Sequence, residues 1–141
     1  MLPLGPPVVE AVPTGIRYFD GQLLVALFRG APFPPGTSQI QAVDPKTGAQ
    51  TPFITGLKTA IDVLPIREGD DIDYLVLQHA SVGPFFGSPG LLLSFETPDS
   101  SPTVIADCLA RPSSMTIDEK TGTVYVTEAF AGRIVAIPIA P

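Results

Sequence analysis

The sequence predicts an all-β fold, a half β-propeller of three four-stranded blades that homodimerises into a six-bladed ring, and three observations predict it. Short apolar runs alternate with turn residues along the whole chain, which is the pattern of half-buried strands and hairpins. The hairpins recur after about 47 and then about 52 residues, a spacing that suits propeller blades. The 17 prolines and 13 glycines fall between the apolar runs, so they punctuate strands and leave no room for long helices.

The first unit, residues 8–57, opens with VVEAV, residues 8–12. GIRYF then turns at Asp20-Gly21 into LLVALF, and Asp-Gly between alternating apolar runs is a strong hairpin signal. A Pro/Gly-rich loop, residues 29–37, leads to SQIQAV and TPFITGL, which are joined through residues 44–48. The second unit, residues 59–109, repeats the order with AIDVLPI, an acidic turn, YLVLQHA, a loop over residues 81–89, GLLLSF and TVIADCL. Its middle strands are apolar at nearly every position, as expected of strands covered on both faces. The third unit, residues 111–141, supplies SSMTI, TVYVTEAF and RIVAIPI and is one strand short. VVEAV is the expected closing strand, paired with RIVAIPI of its own chain or of a second copy, for twelve strands in all.

Three blades are too few for a ring, since closed propellers use four to eight. At about 25 cal/mol per Å², even ~600 Å² of uncovered apolar blade face would forfeit roughly 15 kcal/mol. The expected partner is therefore a second copy of the chain, in a twofold arrangement.

Composition narrows the function classes. A net charge of −6 without a basic cluster disfavours a phosphate backbone, so nucleic acid is not an expected partner. Pro, Gly or a charge interrupts every apolar stretch well before the roughly 20 residues of a membrane span. The opening MLPLGPPVVE lacks a basic start and reaches Glu10 too soon for a signal peptide. Cys108 is the only cysteine, which excludes an internal disulfide, and with Asp107 rather than a cation beside it the thiol is expected to be inert.

The segments PTGIRYFDGQLLVALF, APFPPGTSQIQAVDPKTG, ITGLKTAIDVLPI and RPSSMTIDEKTGTVYVTEA resemble the repeats of the ScyD/ScyE family of six-bladed propellers. The Phe-Pro-Pro-Gly loop followed by a strand and Asp-Pro is the most specific part. That family is similar in broad shape to NHL-repeat and gluconolactonase-like propellers. The resemblance covers nearly the whole chain and implies the fold rather than a reaction. Its members are usually full propellers and often exported, whereas this chain has about half the blades.

Propeller sites lie at one mouth of the central channel. The matching positions are Thr14, Asp62 and Ser113 beside the first strands, with Arg29, His79 and Glu128 after the second strands. Asp62 stands where gluconolactonase-like enzymes carry an oxygen ligand. The resemblance so makes Asp62 and Glu128 candidate ligands of a divalent cation, Ca²⁺ or Mg²⁺. The alternative for both is a carboxylate that accepts backbone N–H groups between blades. His79, the only histidine, is a candidate catalytic base alongside Glu128, set against a hydrogen-bonded structural role. Ser88, in FGSPG, lacks the elbow of a nucleophilic serine.

Phe28, Arg29, Phe33, Phe85 and Phe86 belong to the two long loops and their approaches and are candidate ligand-binding residues for an apolar small molecule. The bland reading is that these rings pack blade against blade. The acidic turn with Glu68, Asp70, Asp71 and Asp73 lacks EF-hand spacing and reads as a solvated tip. Two functions follow: a noncatalytic binding or assembly module, or a metal-dependent hydrolase or lyase resembling lactonase-type propellers.

Overall fold

The alternating runs fold as strands where the period of two lets one face be buried. The computed structural model describes residues 9–31, 33–81 and 88–139. Among them are eleven strands in three antiparallel sheets and no helix. The first sheet has the order β1 (Pro13–Phe19), β2 (Gln22–Leu27), β3 (Ser38–Val43), β4 (Gln50–Leu57). The second runs β5 (Ala60–Glu68), β6 (Asp71–Gln78), β7 (Gly90–Phe95), β8 (Thr103–Leu109). The third consists of β9 (Pro112–Asp118), β10 (Thr123–Glu128) and β11 (Arg133–Pro138), in the order β11-β10-β9.

The first strands begin at Pro13, Ala60 and Pro112, which reproduces the expected spacing, and the register repeats in detail. Pro13, Ala60 and Pro112 sit opposite Leu27, Gln78 and Glu128, and each first hairpin shifts register just beyond that pair. Gln39, Leu91 and Arg133 lie on the other side of the same three residues. Position for position, three units are therefore equivalent. The Asp20-Gly21 turn has φ of 53° and 82°, the left-handed pair that a tight hairpin needs.

Each sheet has two faces, and the sheets stack with unlike faces together. Leu24, Ala26, Ile40 and Ala42 of the first sheet pack with Val63, Val76, Leu93 and Phe95 of the second. The opposite face of the second sheet, with Leu75, Leu77 and Leu92, packs with Met115, Val124, Val126 and Ile137 of the third. The second sheet is thus covered on both sides, which explains its continuous apolar strands.

Polar groups at the two junctions are matched differently. Between the first and second sheets, Ser38 Oγ accepts the Ala60 N–H at 2.8 Å and donates to Leu27 O at 2.7 Å. Between the second and third, the same positions are Gly90 and Pro112. Proline has no N–H to satisfy, and a Cβ on Gly90 would stand 2.6 Å from Pro112 Cγ.

The closing run differs from expectation. Val8 lies outside the described residues, and residues 9–12 form no strand. Their carbonyls face residues 28–30 instead: Phe28, Arg29 and Gly30 donate N–H to Val12, Ala11 and Glu10 at 3.0, 3.1 and 3.0 Å. This is a linker role that the other units repeat, His79 donating to Thr59 O and Ala129 to Arg111 O, both at 2.9 Å. Val12, Thr59 and Arg111 share a positive φ of 47°, 42° and 52°, a turn that ends an extended run. Among the described residues β11 pairs on one side only, with β10.

Candidate functional site

The three first strands bring together Thr14, Asp62 and Ser113, three of the six residues that the sequence placed at a channel mouth, while Arg29, His79 and Glu128 lie outside this cleft. Thr14 and Gly15 of β1, Ile61 and Asp62 of β5, and Ser113 and Ser114 of β9 line one cleft of about 490 Å³. Asp62, Gly15 and Ser114 are equivalent positions in the three sheets, so one carboxylate, one hydroxyl and one bare backbone occupy the same place.

Asp62 is 2 % exposed and fully engaged. Its Oδ1 accepts the Val63 N–H at 3.0 Å, and its Oδ2 accepts the Met115 N–H at 3.0 Å and Arg17 Nη2 at 2.9 Å. The same guanidinium nitrogen donates to Met115 O at 2.8 Å. Arg17 from β1, Asp62 from β5 and the Met115 peptide groups from β9 so form a clamp across all three sheets. Burial pushes the Asp62 carboxyl above its ordinary value, while the Met115 N–H, the Arg17 charge and the Val63 N–H pull it back. Gly15 makes the room, since a Cβ there would stand against Asp62 Oδ1 and 2.8 Å from its Cα.

Glu128 is equally enclosed, at 2 % exposure, but has other partners. It accepts the Ala110 N–H on one oxygen and Arg133 Nε on the other. The Arg133 bond and then the Ala110 N–H hold its carboxyl below the ordinary range. Gln78, its equivalent in the second unit, does the same work: its Oε1 accepts the Lys58 N–H at 3.0 Å. Leu27 stands at this position in the first unit. Asp62 and Glu128 share no partner, and among the described residues no three His, Cys, Asp or Glu side chains gather as a metal set.

His79 follows β6, half-buried, with Nδ1 at 2.8 Å from Pro112 O. A carbonyl only accepts, so Nδ1 carries the proton. Burial lowers the His79 pKa, the Arg111 charge adds to this, and the Pro112 carbonyl opposes it, which keeps the ring neutral near pH 7.

The Phe28 ring lies edge-on to His79 and to Phe33, each at 5.7 Å between centroids. Phe28 is buried, with its ring against both Phe33 and the His79 imidazole. Arg29 turns away, donating Nε–H to Thr37 O at 3.0 Å. Phe85 and Phe86 lie outside the described residues. Ser88 Oγ meets Ser81 Oγ, and its carbonyl accepts from Arg111. Arg111 also stands over the Phe130 ring at 5.5 Å. The acidic residues Glu68, Asp70 and Asp71 are exposed around the β5–β6 turn.

Sequence reasoning missed Arg17. The signal was a charged residue two places after Gly15 in a strand, where alternation puts both on the inward face. Compared with protein-family models, curated proteins and solved structures, the chain matches none, so the ScyD/ScyE resemblance stands on the sequence segments alone.

Proposed function

We propose that this chain is a noncatalytic binding or assembly module, built as a six-bladed propeller from two half-propeller copies, which presents the cleft of the first strands and the adjoining loops to a small molecule or a protein. One observation carries the reading. The side chains able to do chemistry are committed to structural bonds: Asp62 to Met115 and Arg17 and His79 to Pro112 across sheets, and Glu128 to Arg133 of its own sheet and to the Ala110 N–H of the preceding linker. A metal at Asp62 would compete with three donors already in place, and a base at His79 would have to give up its carbonyl partner. What remains on the cleft is neutral, chiefly Thr14, Ser113 and Ser114, suited to hydrogen-bonding a ligand rather than to ionising one.

The test is equilibrium dialysis of chelator-treated protein against Ca²⁺ and Mg²⁺, together with a panel of lactones and esters assayed with and without those ions. Neither stoichiometric binding nor turnover above background is expected. Saturable binding that Asp62→Asn abolishes, or turnover lost in His79→Gln, would overturn the noncatalytic reading in favour of the hydrolase.

A further inference from the structure

We infer that the outer face of the first sheet docks on the outer face of the third sheet of a second copy, repeating between chains the junction that the chain builds twice within itself. The inference rests on the two-copy reading and specifies its interface. The position filled by Ile40 and Leu92, both 0 % exposed, is filled in the third sheet by Ile134, which is 68 % exposed. Leu24 and Leu75 are buried, and their equivalent Tyr125 is exposed. On the complementary face, Val76 and Val126 are buried at 0 %, while Val25 in the first sheet is half-buried. Each uncovered position thus belongs to the half of the junction that the other end of the chain lacks.

The Gly/Pro pair has a counterpart in register, although Gly132 ends a tight turn with a φ of 63°. The residue pair that meets as Gly90 and Pro112 between the second and third sheets is, by the same register, Gly132 and Pro13 between the third sheet and a following first sheet. Pro13 brings no N–H that would need the Ser38-like acceptor which Gly132 cannot offer. Two copies related by a twofold axis would make two such junctions and leave neither apolar face in water.

Light scattering on single and mixed variants tests this. Wild-type chain is expected at about 30 kDa, twice its 14.8 kDa. Ile134→Glu alone and Val25→Lys alone are each expected to halve the mass while keeping the far-UV signal of β-sheet. An equimolar mixture is expected to restore the dimer, because one junction is then native and the other sets Lys against Glu. A single variant that stays dimeric, or a mixture that stays monomeric, would overturn the docking while leaving the two-copy reading intact. Wild-type chain at about 15 kDa would sink the two-copy reading itself. If Val25→Lys does not fold, Tyr18→Lys takes its place, at a position already 71 % exposed on the same face.

Discussion

The junction between the first and second sheets and the junction between the second and third are the same geometry met by different chemistry. At the first, a hydroxyl at Ser38 takes up the Ala60 N–H and the space opposite Asp62 is left to Gly15. At the second, Pro112 removes the donor, and a buried carboxylate reaches across to the Met115 N–H. The apolar packing is alike on both sides. What differs is how each backbone group is satisfied, and at the second junction the Arg17–Asp62 ion pair joins all three sheets. The desolvation cost of such a pair offsets much of its attraction, so its net contribution to stability is small while the loss of one partner is costly.

Removing the carboxylate should break this comparison most severely. Asp62→Ala leaves the Met115 N–H and Arg17 without their acceptor. Loss of a buried ion-pair partner costs about 3–5 kcal/mol, and the lower end applies because the Arg17 side chain is 30 % exposed. Urea denaturation at neutral pH should show that loss; a change under 1 kcal/mol would mean that the clamp is incidental. Gly15→Ala comes next. Its Cβ would press on Asp62 and stand 2.9 Å from Ile61 O, an overpacking expected to cost about 1–3 kcal/mol in the same measurement.

Most of the fold was legible because its signals are local. Alternating runs, the Asp20-Gly21 turn and the recurring spacing each depend on neighbouring residues, and eleven of the twelve expected strands are present. The described part of VVEAV forms no strand within one chain, because its apolar alternation hides the left-handed turn at Val12, which the sequence marks by no glycine. The role of Asp62 as an acceptor between sheets was readable as one of two options. Its partner Arg17 was not, because the contact joins residues 45 apart and depends on how two sheets stack.

A smaller effect sharpens the equivalence of the units. Gly56 and Cys108 occupy the same place, four residues before Ala60 and Pro112, with φ of 72° and 55°. Cys108→Gly should therefore stabilise by about 0.5–1 kcal/mol and Gly56→Ala destabilise by a similar amount, since only glycine adopts that region at no steric cost. Thermal unfolding under reducing conditions compares the two; shifts of the same sign would break the equivalence.

The smallest effect is one of pH. The Glu128 carboxyl is held below its ordinary value of 4.5, so its contribution is present above that pH and is lost as pH falls through the lower folded value. Glu128→Gln keeps an acceptor for Ala110, as Gln78 does for Lys58, and lacks that titration. The stability difference between wild type and variant should shrink as acid is added below pH 4.5, as followed by denaturation at a series of pH values. A gap that stays constant would place the ionisation elsewhere.

If three equivalent units leave two complementary faces uncovered, the solution mass of the 141-residue chain on dilution decides the account most directly. Light scattering at low micromolar concentration should give about 30 kDa, twice the 14.8 kDa of one chain, with little change over a tenfold dilution. A folded, compact species at about 15 kDa that persists on dilution would contradict it.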